Sequence, residues 1–180
     1  MPEIVYIRSG VEPAEPSVAS GLRTTPATYG AHSGLPTKRP WQVLLVDDDA
    51  AVRAHLRGLV EERADFQVVG EACDGEEAVV LAERYRPDIM LMDIHLPRLS
   101  GVEATRQINE KVSQCRVIGM SSLHTPHSYN AMMAAGAVAF VHKEDAAEAL
   151  FKTLVFVINT YCPGLANELY RRSDETSTEY

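Results

Sequence analysis

Residues 43–60 read "VLLVDDDAAVRAHLRGLV", and three textures follow one another within them. Val43 to Val46 are a short apolar run, suited to a strand buried on both faces. Three consecutive carboxylates, Asp47, Asp48 and Asp49, follow at once. After them Val52, Leu56, Leu59 and Val60 fall at helical spacing, with Arg53, Arg57, Glu61 and Glu62 between them. Two unit charges ~4 Å apart repel by roughly 4 kcal/mol at an effective dielectric near about 20. An acidic triplet therefore either faces open water or holds a cation, and its place between strand and helix has to decide which.

The same pattern repeats outward from this stretch. "FQVVGEA" (66–72) is a second strand, Asp74-Gly75 punctuates, and a helix around Ala78 to Ala82 ends near Tyr85, before Pro87. "DIMLMD" (88–93) is a third strand, again closed by a carboxylate, and Pro97 and Gly101 bracket the loop before the helix "VEATRQIN". "CRVIGMSS" (115–122) ends on two hydroxyls, and a polar loop containing Pro126 leads to a helix around Asn130 to Ala135, closed by Gly136. "AVAFVHK" (137–143) ends on a lysine, and a last helix spans about 145–159. Five strands alternating with five helices predict an α/β fold, an open parallel sheet covered on both faces. In such sheets the site lies at the carboxyl ends of the strands, near the switch in strand order. That rule gathers Asp47 to Asp49, Asp93, Ser121 with Ser122, and Lys143.

A pocket of this kind suits a hard cation and a phosphoryl group. Mg²⁺ prefers one or two carboxylates completed by water and phosphate oxygens. An Asp can act as a nucleophile toward phosphorus, and the oxygens in flight need a metal and a positioned cation. Asp93, alone at a middle strand, is the candidate nucleophile; Lys143 supplies the cation, and the Ser121 hydroxyl a hydrogen bond. Asp49 reads as a solvated residue at the helix start, favoured by the helix dipole. His124 and His127 have i, i+3 spacing but no evident third ligand.

The chain from about 42 to 159 resembles a response-regulator receiver domain of bacterial two-component signalling. "LLVDD", "PDIMLMDIHLPRLSG", the Ser of "VIGMSS" and Lys143 in "GAVAFVHK" stand in family order and at family spacing. The resemblance implies the flavodoxin-like doubly wound (βα)5 fold with strand order 2-1-3-4-5. It implies Asp93 as phosphoacceptor and Mg²⁺ as cofactor, with Asp48 and Asp93 as ligands, the His95 backbone carbonyl completing the set and Asp47 acting through water. Ser121 and Phe140 take the positions of the switch hydroxyl and switch aromatic, whose ring turns inward on phosphorylation. The implied partners are a sensor histidine kinase and a downstream protein that reads the face of the fourth helix, fifth strand and fifth helix. Leu96 stands where Met is frequent, Ser121 where Thr is, and Glu144 where many members carry Pro.

Of the 180 residues, 46% are hydrophobic, enough for one core, and 25 acidic against 17 basic residues give a formal charge of −8. That balance argues against broad attraction to nucleic acid or an anionic membrane. Neither a spanning segment nor a secretory leader is visible. The three cysteines are odd in number and widely spaced, which suits a reducing cytoplasm. Residues 1–40 hold six of the ten prolines and read as a disordered extension, either a tail with a partner or a start codon assigned too far upstream. The receiver spans 41–160, and 161–180 form a short tail too small for an effector domain. On the last helix Val155 and Phe156 fall off the apolar stripe of Ala147, Leu150, Phe151, Leu154 and Ile158. They mark a face covered either by the tail or by a second molecule, as in a homodimer.

These features read as a signalling phosphoacceptor rather than a turnover enzyme. "YCPGLANELYRR" resembles the linker of receivers that carry a C-terminal helix-turn-helix, so a transcription regulator lacking its DNA-binding part is the alternative. A haloacid-dehalogenase-like phosphatase would use Asp47-x-Asp49 and leave Asp93 without a role. A receiver-shaped scaffold that is never phosphorylated is a further reading.

Overall fold

The computed structural model describes residues 6–7, 39–123 and 125–161. The remainder of the N-terminal extension, His124, Cys162 and the tail beyond Tyr161 lie outside the described residues. The elements run β1 (Tyr6–Ile7), β2 (Trp41–Val46), α1 (Ala50–Glu61), β3 (Phe66–Ala72), α2 (Gly75–Tyr85) and β4 (Ile89–Asp93). They continue with α3 (Gly101–Lys111), β5 (Arg116–Ser121), α4 (Pro126–Ala134), β6 (Ala139–His142), a 3-10 turn (Lys143–Asp145) and α5 (Ala146–Tyr161).

The sheet order is β1-β6-β5-β4-β2-β3. β2 to β6 are parallel, in the order the resemblance implies. β1 is the addition: it pairs antiparallel with β6, Tyr6 opposite Phe140 and Ile7 opposite Ala139.

The strand sequences are near-continuous apolar runs because both faces of the sheet are covered. Alternate residues feed two cores. Val43 and Leu45 of β2, Ile89 and Leu91 of β4, and Ile118 and Met120 of β5 join residues of α1 and α5 on one face. Leu44, Val46, Met90, Met92, Val117 and Phe140 join residues of α2, α3 and α4 on the other. At about 1.5–3 kcal/mol for each large side chain fully buried, these two layers are the main stabilising term.

Helix starts follow the local chemistry. Asp74 accepts from the Glu77 N–H at 2.9 Å and Ser100 from the Glu103 N–H at 3.3 Å, capping α2 and α3. α4 begins earlier than its apolar pattern indicates. Thr125 caps it by accepting from the Ser128 N–H, and Pro126 occupies the first turn, where a missing N–H costs nothing. Gly136 follows α4 with φ +101°, and Asn109 donates to the Ala135 carbonyl beside it. A side chain at 136 would be strained there and would also meet the Asn109 amide.

α5 carries the two apolar residues that fall off the stripe. Val155 is 4% exposed, and Phe156 is half-buried against the core shared with α1. The helix is buried around more of its circumference than a single stripe predicts.

Candidate functional site

The sheet register builds the pocket. Val46 pairs with Met92, so Asp47 and Asp93 emerge side by side where β2 and β4 end. This is the point at which the strand order reverses. Ser121 pairs with His142, and Lys143 follows His142 directly. Carboxylate oxygens of Asp47, Asp48 and Asp93 lie within 4.8 Å of one another. Lys143 Nζ sits 2.5 Å from Asp47 Oδ2 and 3.1 Å from Asp93 Oδ2. Asp47 and Asp93 are buried, whereas Asp48 is exposed.

Local contacts fix these positions. Asp47 Oδ1 accepts the Asp49 N–H at 3.0 Å, and the Asp47 carbonyl accepts from Arg53 Nη1 at 2.6 Å. Arg53 Nε in turn donates to Glu71, which Arg57 also holds. Asp49 is the N-cap of α1, accepting from Ala51 and Val52, so its carboxylate serves the helix start, as its position suggested. Beyond β4 the Ile94 N–H donates to the Met120 carbonyl and the Gly101 N–H to the Ile94 carbonyl. This folds the loop back so tightly that a Cβ on Gly101 would run into the Asp93 carbonyl oxygen. His95 stands exposed in that loop.

One ammonium among three carboxylates sets the electrostatics. Burial pushes the Asp47 carboxyl above its ordinary pKa; the Lys143 ammonium and the Asp49 N–H oppose this, and the Asp93 charge reinforces it. For Lys143, burial acts downward but is outweighed by the hydrogen bond to Asp47 and the charges of Asp93 and Asp47. Its pKa ends above the ordinary value. The lysine is thus a permanent cation at neutral pH, and the pocket still carries more negative than positive charge. That donor set, all hard oxygen with one edge open to water at Asp48, fits a small divalent cation.

The remaining predicted residues lie on the two strands beside the pocket. Ser121 is buried, and its Oγ accepts the Leu123 N–H at 2.9 Å. Phe140 is fully buried, edge-on to Tyr129 and to His142 at centroid distances of 5.8 and 5.3 Å. The inward ring is therefore the placement this structure holds. A second acidic group, Cys73, Asp74 and Glu77, is committed to structure: Asp74 caps α2 and pairs with Arg98, and Glu77 accepts the Cys73 N–H. Sequence reasoning missed Arg53 and Gly101 as supports of the pocket. The only sequence signal for either was Gly101 at the end of the loop that opens with Pro97.

With this geometry in view, the sequence profile of the response regulator receiver domain matches residues 43–155. The chain belongs to the response-regulator receiver family. The receiver is 35% identical over 117 residues to the transcriptional regulatory protein DegU of Brevibacillus brevis, covering 64% of this chain and 49% of that protein. It is 48% identical over 69 residues to a protein-glutamate methylesterase/protein-glutamine glutaminase of Geobacter metallireducens, covering 38% of this chain and 20% of that one. Among solved structures, the response regulator domain of Thermotoga maritima CheB superposes with a TM-score of 0.63 at 34% identity. The match covers 67% of this chain and 98% of that domain. The chain spans about half the length of the curated regulators it matches. Among the described residues no helix is long and apolar enough to cross a membrane.

Proposed function

We propose that the receiver accepts a phosphoryl group on Asp93 from a sensor histidine kinase. The observation that carries this is the convergence of Asp47, Asp48 and Asp93 around Lys143 at the strand-order switch. An Asp93 carboxylate oxygen attacks phosphorus, the phosphorus–nitrogen bond of the donor phosphohistidine breaks, and its imidazole leaves. Lys143, already 3.1 Å from Asp93 Oδ2, follows the charge onto a phosphoryl oxygen. The Ser121 hydroxyl turns to donate to another. Asp48, Asp93 and the His95 carbonyl would hold Mg²⁺, with Asp47 acting through water; when bound, the ion neutralises the phosphoryl oxygens.

Release of Ser121 from Leu123, with repacking of Phe140 between Tyr129 and His142, then reshapes the α4-β6-α5 face. A downstream partner or a second copy reads that face. A cytoplasmic, bacterial setting is part of this reading. The matches to transcriptional regulators, each over about half the relative's length, favour one alternative output: a receiver that controls a DNA-binding part.

Intact-mass analysis after incubation with acetyl phosphate and Mg²⁺ tests the reading. It expects one phosphoryl adduct, lost without Mg²⁺ and lost in Asp93→Asn. No adduct, together with no binding of beryllofluoride, would sink it in favour of the unphosphorylated scaffold.

A further inference from the structure

The β6 edge is where the described fold departs from a bare five-stranded receiver. β6 carries Phe140 in its middle, and the chain continues from it straight into Lys143. Of the five parallel strands only β5 pairs with it, so alternate N–H and C=O groups along its other side point away from the parallel sheet. Such an edge is a template for strand addition, by a partner or by another copy. Here the chain's own Tyr6 and Ile7 lie against it, antiparallel, opposite Phe140 and Ala139.

The sequence supports that placement. Within the Pro-rich residues 1–40, Ile4, Val5, Tyr6 and Ile7 form the one run of four strong strand formers. The connection is long enough. From β2 to β1 the sheet crosses β4, β5 and β6, about 19 Å at ~4.8 Å per strand. The 33 residues that join the two strands can bridge this distance, since an extended chain covers up to about 3.3–3.6 Å per residue. Being part of the same chain, the strand meets this edge at an effective concentration independent of dilution. Two residues pair weakly on their own, but tethered they compete with any untethered strand.

We propose that Tyr6 and Ile7 act as a tethered strand that covers the β6 edge in cis, so that a second copy docking on this edge must first displace it. The effect on signalling rests on the receiver reading above; the strand pairing does not. Pairing closed about nine-tenths of the time slows exchange of the covered edge amide of β6 about tenfold and weakens edge docking by a similar factor.

The test is residue-resolved amide exchange of the full chain by NMR, beside a Tyr6→Pro, Ile7→Pro double variant that removes the strand's ladder donor, whichever of the two residues supplies it. The expected result is about tenfold faster exchange at the outward amide of the Ala139–Phe140 pair in the variant, with β4 amides unchanged and the protection independent of dilution. Beryllofluoride with Mg²⁺ is added to both proteins, and dimerisation is read by ultracentrifugation. About tenfold tighter association of the variant supports the cover; equal association overturns its competitive role. Equal exchange in the two proteins, or protection that fades on dilution because the strand comes from a second copy, overturns the cis pairing. Failure of beryllofluoride to shift resonances around Asp93 would count against the phosphoacceptor reading alone, and the exchange comparison would still judge the strand.

Discussion

Replacing Lys143 with Met keeps most of the side-chain volume and removes the pocket's ammonium. Asp47, 1% exposed, then loses the cation 2.5 Å from its Oδ2, and Asp93 the one 3.1 Å away. Breaking a buried pair typically costs about 3–5 kcal/mol. The pocket has an escape, since one carboxylate can take up a proton. Measured from an unfolded Asp pKa of about 3.9, holding that proton costs about 4 kcal/mol at pH 7 and about 1.5 kcal/mol at pH 5. Protonation therefore caps the loss. The sign follows from Asp47, whose pKa is raised in the folded protein. A raised carboxyl costs stability above its unfolded pKa, and the cost is relieved as pH falls toward that value. Urea unfolding of wild type and Lys143→Met without divalent ions should show a deficit of about 3–4 kcal/mol at pH 7, shrinking below about 2 kcal/mol at pH 5. Millimolar Mg²⁺ should narrow the gap at pH 7 by restoring a cation to the site. A deficit equal at both pH values, or no deficit at pH 7, would refute the charge argument.

Gly101→Ala should destabilise the fold by about 2–3 kcal/mol, because the new Cβ displaces the Asp93 backbone; acetyl phosphate labelling should fall by more than the unfolded fraction explains. Burial pushes the Cys115 thiol up to about 12, while Cys73 is exposed. Iodoacetamide at pH 8 followed by peptide mapping should therefore modify Cys73 and leave Cys115 untouched until urea is added. Arg57, opposed by partial burial and aided by Arg53, holds the Glu71 carboxyl below its ordinary 4.5. That stabilisation is complete above the ordinary pKa and is lost as pH falls through the lower folded value. Glu71→Gln should cost about 0.5–1 kcal/mol at pH 7 and flatten the acid limb of stability below pH ~4.5, read by urea titrations.

The fold was readable because a parallel sheet covered on both faces writes most of its strands as apolar runs, and four of the five runs here lead to a residue beside the pocket. Asp47, Asp93, Ser121 and Lys143 needed only the rule that sites gather at strand carboxyl ends. What local pattern could not supply depended on contacts distant in sequence or on helix surroundings. Arg53 reads as an ordinary helix-surface charge until its reach to the Asp47 carbonyl is seen. Gly101 marks a loop end, but the closeness of the Asp93 carbonyl is a tertiary fact. Pro126 looked like loop because proline breaks helices in their interior, whereas Thr125 makes it a first-turn residue. A helical wheel assigns α5 one core stripe, whereas Val155, off that stripe, is buried as well. β1 is two residues of a proline-rich stretch joined to β6 across a long connection, a pairing that no local window contains.

The pocket's members come from the ends of β2, β4, β5 and β6, and Lys143 lies about a hundred residues along the chain from Asp47, a non-local contact of the kind that slows folding in general. No fragment emerging from the ribosome can assemble it, because the cation arrives only when β6 docks at the far side of the sheet. On the proposed reading, a nascent or half-folded chain offers Asp93 without Lys143 beside it and would be a poor substrate for phosphotransfer. Labelling would thereby be restricted to molecules that have finished folding, a proofreading of the messenger that requires no chaperone or protease.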